Sequence, residues 1–464
     1  MDRLLVHPRK GRAREDKKSS QKLFKNNPRF QAVLLLEKIL IQGGYSNVLL
    51  NKQLGQNYLT GPDKTLLVQL VYGVIQHWRT LEYYLSPYLK DRKLDDWVRL
   101  LLDVSVFQLE YLNRIPTHAV VNEAVKIAKI QGHQGLANFV NGVLRNYLRK
   151  GKARLEVLDP AQRLSIQYSM DPSIIEVLAD LLNLTELENF LASLLGQPAL
   201  SLRINPKKAT RQQIMDDLAE EGIQTQVSSL SPYGIKVLSG DIFRSHAFDQ
   251  GLVTVQDESS MLVAPLGQLT GQEIVLDPCS APGGKATHIA SLLDTGHLTA
   301  LDISAHKLDL VEQHAVRLGL KSLIDCQVAD GRKFYPPEGL MYDRMYLDAP
   351  CSGLGLMRRK PEIKYHQIDD IVSELSRIQA ELIDHLAQFL KPGGIFIYST
   401  CTLTRAENER IIEEFLAKHD EFEIMPIDPD EVPLDNLITA EGFVRIWPHI
   451  SATDGFFIAR LTKN

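Results

Sequence analysis

From about residue 250 onward the chain alternates short apolar strands with amphipathic helices, and this alternation constrains the fold more than any other feature. Glu273–Leu276, His297–Leu301, Ile324–Ala329, Tyr342–Leu347 and Ile395–Tyr398 each read as a strand, bounded by turn residues or helical spacing. The helix after the second strand sets Leu308, Val311, Ala315 and Leu318 on one face, and the helix before the last sets Leu375, Ile378, Leu382, Leu386 and Phe389 on one stripe. Such a pattern predicts a mostly parallel sheet covered by helices on both faces. Ligands of these sheets bind beyond the carboxyl ends of the strands, so the chemistry is sought there.

At 464 residues the chain is too long for one core. Residues 1–27 are expected to form a flexible basic arm; residues 1–29 carry ten Lys or Arg against three acids and no apolar block. Residues 28–155 read as an all-helical domain, with Leu66, Leu70, Val74 and His77 at helical spacing, Pro62 at a first turn and a break at Gly43-Gly44. It closes on a basic cluster, Arg145, Arg149, Lys150, Lys152 and Arg154. Residues 160–250 read as a small α+β module, with a strand at Ser201–Pro206, a helix at Arg211–Glu221 and a strand near Ile235–Leu238. The sheet domain takes 251–464.

Net charge is −5, so any attraction for nucleic acid must be local, in the arm and the basic cluster. The apolar run Val33–Leu36 is broken by Glu37 and Lys38, and no run reaches membrane-spanning length; a cytoplasmic protein without membrane contact is expected. Cys279, Cys326, Cys351 and Cys401 are widely spaced, which argues against a zinc site or a disulfide framework and leaves individual thiols to do any chemistry; no metal is expected.

Between the first strand and its helix lies Asp277-Pro278-Cys279-Ser280-Ala281-Pro282-Gly283-Gly284-Lys285. Adjacent glycines let backbone approach a ligand, and the following helix offers free amides and a partial positive charge. Asp302 ends the second strand, placed to accept from ribose hydroxyls, and Asp330 ends the third, placed to meet a purine amino group. The turn matches neither GxGxxG nor GxxxxGK[ST], which disfavours dinucleotides and nucleoside triphosphates. Acids at three strand ends suit a ligand with donating hydroxyls, an amine and a positive centre, as in S-adenosylmethionine.

The fourth strand ends Asp348-Ala349-Pro350-Cys351 and the fifth ends Ser399-Thr400-Cys401. A lone cysteine is most often an inert buried residue, but two at matching strand ends over a cofactor crevice point to chemistry. A thiolate adding to carbon 6 of cytosine makes carbon 5 nucleophilic enough to take a methyl group from a sulfonium, and a carboxyl group near N3, here Asp348, stabilises the adduct. The target base must leave its stack to reach such a pocket.

These motifs together resemble the RNA cytosine-C5 methyltransferase family, and the whole chain is similar to its RsmB (Sun/Fmu) branch, which modifies 16S rRNA. Further support comes from Gly44-Tyr45-Ser46-Asn47, from Gln256-Asp257-Glu258-Ser259-Ser260 and from Arg358-Arg359-Lys360-Pro361-Glu362-Ile363-Lys364. The resemblance covers roughly residues 25–464. It implies a multidomain chain: an all-α NusB-like helical bundle that binds RNA, the small α+β module, and an α/β Rossmann-like S-adenosylmethionine-dependent methyltransferase domain. It implies that Cys401 is the nucleophile and Cys351 helps release the product; DNA cytosine methyltransferases use the Pro-Cys cysteine instead, so the second thiol speaks for RNA. It implies cofactor contacts at Cys279, Ser280, Ala281, Pro282, Gly283, Gly284, Lys285, Asp302, Asp330 and Asp348, and phosphate contacts at Arg358, Arg359 and Lys360. Ala286, Thr402 and Arg405-Ala406 depart from the family's usual residues without removing a reacting group. Cys279 and Cys326 read as structural.

The partner implied is 16S rRNA, naked or in a partly assembled small subunit, methylated at the cytosine conventionally numbered 967, with the protein acting as a monomer. A transfer-RNA cytosine methyltransferase shares every catalytic residue and stays open. So does a catalytically silent RNA-binding scaffold, although paired thiols and a full set of acids serve no purpose there. A small-molecule methyltransferase leaves the arm, the helical domain and the second thiol without a role.

Overall fold

A computed structural model describes residues 26–56, 58–89, 93–155, 158–433 and 435–464. The expected basic arm lies outside them except for its last two residues. The described chain divides into two compact units. One runs to Glu176 and also takes Lys360–His366; the other comprises Val177–Arg359 and Gln367–Asn464.

The first unit is helical: α1 (Pro28–Leu36), α2 (Ser46–Leu54), α3 (Gly61–Leu89), α4 (Asp96–Tyr111), α5 (Thr117–Gln131), α6 (Gln134–Lys150) and α7 (Pro160–Gln167). Asn27 starts α1 by accepting from the amides of Arg29 and Phe30, which the first turn leaves without partners. Leu101, Leu102 and Val104 of α4 are buried among Val33 and Leu36 of α1, Leu70 and Val74 of α3 and Val140 of α6. The unit extends past the expected boundary near 155. Thr80 binds Ile166 and Ser169, and Arg79 pairs with Asp171 at 2.8 Å, so α7 stays with the bundle.

Residues 360–366 belong to this bundle although they lie far along the chain. The Glu362 carboxylate accepts from the Ser46 amide and hydroxyl, which joins two of the stretches that carry the family resemblance. Lys364 is fully buried, and its Nζ donates to the carbonyls of Gln76 and Tyr168, each at 2.9 Å.

The second unit holds two sheets. The smaller has the order β2-β3-β1-β4, all antiparallel, from β1 (Leu200–Ile204), β2 (Gln224–Val227), β3 (Gly234–Ser239) and β4 (Val253–Val255). Leu202, Ile204 and Ile235 pack under Ile214 and Leu218 of a helix at Arg211–Glu220. The sequence indicated β1, β3 and that helix; β2 and β4 are additional, and β4 lies beyond the boundary expected at 250.

The larger sheet runs β10-β12-β9-β8-β5-β6-β7, with β11 on β12. Its strands are β5 (Ile274–Asp277), β6 (His297–Asp302), β7 (Ile324–Val328), β8 (Tyr342–Asp348), β9 (Leu390–Thr400), β10 (Phe422–Ile424), β11 (Val444–Ile446) and β12 (Phe456–Lys463). β5 to β9 are parallel, as expected, and β10 to β12 add an antiparallel flank. Chain order reverses between β5 and β8, which opens a crevice at their carboxyl ends. Three helices of this unit lie at Gly284–Ser291, Ala305–Leu318 and Ile368–Leu386. The second buries the face read from the sequence, Leu308, Val311, Ala315 and Leu318. In the third, Leu382 and Leu386 of the expected stripe are buried, Leu375 and Ile378 only partly, and Phe389 falls in the short turn that follows. Among the described residues no helix is long and apolar enough to cross a membrane.

Candidate functional site

β5 delivers Asp277 into the crevice, and the chain then turns through Ser280, whose amide and hydroxyl both donate to the Leu301 carbonyl of β6. Gly283 takes φ +99° to enter the helix at Gly284, and a side chain there would press on the Val311 backbone at 3.0 Å. At Gly284 the space a Cβ would fill has its nearest atom 4.0 Å away, so the turn keeps an open cradle at the start of the helix. The turn is supported from the small sheet. Arg203 of β1, 2% exposed, donates to Gln256, to the Gly284 carbonyl and to Thr287, and burial drops its pKa to about 9.

Four carboxylates line the strand ends. Asp277 is 1% exposed; its Oδ1 accepts from the Cys279 amide, while its Oδ2 has no partner among the described residues. Burial, reinforced by Asp348 and Asp302, pushes its pKa up to about 8. Asp302 accepts from the Ser304 amide, and the next residue, Ile303, is 72% exposed, an apolar side chain left open beside the crevice. Asp330 is already engaged by Arg332, through Nε at 3.0 Å and a terminal nitrogen at 2.8 Å, and these hydrogen bonds hold its pKa below the usual carboxylate range. Asp348 accepts from Lys285 Nζ at 2.7 Å and Ser399 Oγ at 3.1 Å. Burial opposes the charge on Lys285, but Asp348, with smaller help from the Cys401 sulfur and Asp277, holds it above the ordinary lysine value.

The two cysteines at the ends of β8 and β9 meet. Cys351 Sγ and Cys401 Sγ are 3.3 Å apart, both half-buried. The hydrogen bond to Cys401, then burial, pushes the Cys351 thiol well above its ordinary value. The structure therefore gathers Cys351, Cys401, Asp348 and Lys285 into one cluster, joined through Asp277 to the 279–285 turn. The remaining thiols, Cys279 and Cys326, are raised by burial. All four cysteines are free, and among the described residues no three or more His, Cys, Asp or Glu come together as metal ligands do.

Arg359 stands otherwise than expected. Its guanidinium is held between Asp257 and Asp454, at 2.5 and 2.8 Å, and Arg358 donates to the Ala452 carbonyl. The charge of Arg359 is spent inside the protein, where burial and the neighbouring Asp257 lift the Asp454 pKa to about 7. A phosphate would have to displace two carboxylates to reach it.

Sequence reasoning passed over several residues that build the site. Glu407, fully buried, accepts from Ser352 and Thr404. Gln379 reaches the Pro350 carbonyl, and Arg203 buttresses the turn. A signal for Arg203 was present: a lone cation in a short strand whose other residues are uncharged, Leu-Ser-Leu-Arg-Ile. For Glu407 the signal was the hydroxyl-rich run Ser399-Thr400-Cys401-Thr402-Leu403-Thr404, whose donors need an acceptor once buried.

Comparison with known proteins bears on every part of the chain. Residues 265–462 match the model for 16S rRNA methyltransferase RsmB/F, residues 26–149 the NusB family, and residues 177–241 the ferredoxin-like domain of RsmF/B-like methyltransferases. The probable ribosomal RNA small subunit methyltransferase B of Bacillus subtilis is 40% identical over 449 residues, covering 95% of this chain and 99% of its own. Its namesake from Synechocystis is 35% identical, covering 93% and 98%. Among solved structures, that of PH0851 superposes with a TM-score of 0.80 at 26% identity, covering 99% of this chain and all of its own. That of NSun6 from Pyrococcus horikoshii with SFG gives 0.55 at 22% identity, covering 62% and 97%.

Proposed function

The chain belongs to the RsmB/F family of 16S rRNA methyltransferases, and from that premise we propose that it transfers a methyl group from S-adenosylmethionine to carbon 5 of a cytosine in 16S rRNA through a covalent bond from Cys401 to carbon 6. The observation that carries this reading is the pair of sulfurs 3.3 Å apart, flanked by Asp348 and Lys285 at the ends of neighbouring parallel strands.

The residues present fit the cofactor. The unpartnered Oδ2 of Asp277 is a buried acceptor suited to an ammonium, and the open backbone at Gly283-Gly284 suits a carboxylate. Asp302 would accept from ribose hydroxyls, the exposed Ile303 would meet an adenine face, and Asp330, steadied by Arg332, would take the purine amine. When bound, S-adenosylmethionine supplies an electrophilic methyl group on a sulfonium.

The protein's own groups do the rest. The Cys401 thiolate bonds carbon 6, and the displaced π pair makes carbon 5 a nucleophile, with Asp348 at the N3 edge and the Lys285 charge beside it. Once carbon 5 carries the methyl group, its hydrogen leaves as a proton to a base. The C–H pair restores the double bond between carbons 5 and 6, and Cys401 departs as thiolate. Cys351, keeping its proton and pointing it at Cys401, stabilises that departing sulfur.

The test is Cys351→Ala with S-adenosylmethionine and unmodified cellular RNA on a denaturing gel. The variant is expected to accumulate a retarded protein–RNA band that disappears in Cys351→Ala/Cys401→Ala, and the trapped sequence identifies ribosomal against transfer RNA. An adduct from Cys401→Ala instead reverses the two thiols. No adduct from either, with cofactor binding intact, overturns the covalent mechanism.

A further inference from the structure

Resting on that reading, we propose that Glu407 is a positioning residue for the two-thiol reaction: its buried carboxylate ties the residues on both sides of Cys351 to the loop carrying Cys401, and so fixes the distance between the sulfurs. Glu407 is fully buried. Its Oε1 accepts from the Ser352 amide at 2.8 Å and from Gln379 Nε2 at 3.2 Å. Its Oε2 accepts from the Ser352 hydroxyl at 2.6 Å and the Thr404 hydroxyl at 2.9 Å.

Each hydroxyl has one hydrogen, which decides how the network runs. Ser352 spends its hydrogen on Glu407, so Thr402, 2.7 Å from the Ser352 oxygen and 3.3 Å from Glu407, donates to Ser352. Thr402, the residue after Cys401, is thereby joined to Ser352, the residue after Cys351. The second amide hydrogen of Gln379 goes to the Pro350 carbonyl at 2.8 Å, so the residue before Cys351 is held as well. The Glu407 carbonyl in turn accepts from the buried Tyr398 hydroxyl of β9 at 2.6 Å, which anchors the clamp to the strand that delivers Cys401.

Packing alone does not account for a carboxylate here. A buried charge with no cation beside it is costly, and four converging donors are what offset that cost. The negative charge has a second effect on the site: with the nearby Cys401 and Asp348, it helps Cys351 retain its proton. The clamp therefore governs both the separation of the sulfurs and which of them holds the hydrogen.

Glu407→Gln keeps the shape but replaces one acceptor oxygen with an amide donor facing hydroxyl donors. The full-length variant is compared with wild type in single-turnover methyl transfer to unmodified RNA, with covalent adduct and released methylated RNA quantified across pH. The expected result is at least a tenfold slower turnover, a larger fraction of protein held as adduct, and an alkaline limb of product release moved to lower pH. The KM for S-adenosylmethionine is expected to stay within twofold. A general loosening of the fold does not move the pH profile or the adduct fraction in that way. Ser352→Ala, which removes only the hydroxyl link between the loops, is expected to shift the adduct fraction in the same direction by threefold or more, and it carries the test if Glu407→Gln does not fold. Wild-type adduct fraction and pH profile in either folded variant overturn the proposal. The parallel Cys351→Ala trap separates the two failures: if it gives no adduct, the covalent reading itself has failed; if it does, only the role of Glu407 has.

Discussion

The backbone behind Cys401, the proposed nucleophile, leaves no room for a methyl group at residue 355. The Gly355 amide donates to the Cys401 carbonyl at 2.9 Å, and the Gly355 carbonyl accepts from the Gly455 amide at 2.9 Å. A Cβ at 355 would stand 2.0 Å from the Gly455 carbonyl oxygen and 2.8 Å from the Cys401 carbonyl oxygen. Ordinary contact begins at 3.4 Å, so Gly355→Ala must open these gaps by about 1.4 Å and about 0.6 Å in an interior packed without slack. Neither neighbour is a side-chain tip that can swing aside. Gly455 leads into β12 and Cys401 follows β9, and the two strands are paired there through Thr400 and Phe457. The displacement therefore reaches the Cys401 sulfur.

Misplacing a reacting group by about 1 Å costs on the order of 100-fold in rate, so turnover is expected to fall between roughly 10-fold and 100-fold, about 1.4 to 2.7 kcal/mol of barrier. Overpacking itself lowers stability by roughly 1–3 kcal/mol. Single-turnover methyl transfer measures the first, urea unfolding the second, and calorimetric titration of S-adenosylmethionine supplies the control, because Gly355 lies outside the 279–285 turn. A folded Gly355→Ala protein that turns over within twofold of wild type refutes the reasoning, since the loop then has slack that the geometry denies. A loss confined to cofactor affinity refutes it equally.

Two further predictions concern buried charges with opposite pH signs. Asp277 has its folded pKa raised from 3.8 to about 8, so its contribution to stability is full below pH 4 and is lost as pH rises to about 8, by up to about 6 kcal/mol. Asp277→Asn is expected to abolish that slope while weakening S-adenosylmethionine binding; equal wild-type-minus-variant stability at pH 5 and pH 8 contradicts it. Lys364 has its folded pKa lowered from 10.5 to about 7 by burial, so its contribution is full above pH 10.5 and is lost as pH falls to about 7. The neutral amine has two hydrogens, matching the two carbonyls it meets. Thermal unfolding of wild type against Lys364→Met is expected to diverge with falling pH and to level off below about 7; a difference independent of pH between 7 and 10 refutes it.

What the sequence made legible follows from physical range. The parallel strands β5, β6, β8 and β9 hold buried apolar residues, and β5 and β6 lead within a few residues into helical spacing, so the two signals sit side by side. β7, at the sheet edge with only Ile324 buried and no helix before β8, is read from the alternation around it. β12 is as buried, with Phe456, Phe457, Ile458 and Ala459 all at 2% exposure or less, but no crossover helix marks it. β2, Gln-Thr-Gln-Val at an edge and mostly exposed, carries no hydrophobic pattern at all. At the site, the acids and cysteines could be found because each is chemically distinctive at the end of a legible strand. Local signals marked Arg203 and Glu407, but their roles, like that of Arg359, could not be read, because each also depends on partners 53 to 102 residues away. Arg359 is the instructive case. A basic run after a catalytic loop reads as a phosphate contact until Asp257 and Asp454 are brought beside it.

The crevice also bears on how the proposed reaction runs forward. Asp277, Asp302 and Asp348 lie close enough that the last two raise the pKa of the first, while Lys285 is the cation that opposes them. Acids in mutual repulsion at a buried site are costly until a positive charge arrives, so the site favours a cationic ligand over a neutral one of the same shape. Methyl transfer discharges the sulfonium, and the electrostatic part of the attraction falls with it, whereas contacts with ribose and purine are unchanged. The same carboxylates that draw the reactant in therefore hold the spent product less tightly. Lys285 limits this effect by pairing with Asp348 at 2.7 Å, which leaves Asp277, with its unpartnered oxygen, as the acid most able to respond to the ligand's charge. The stability lost by burying Asp277 and the selectivity for a charged methyl donor are, on this argument, two consequences of one unpaired oxygen.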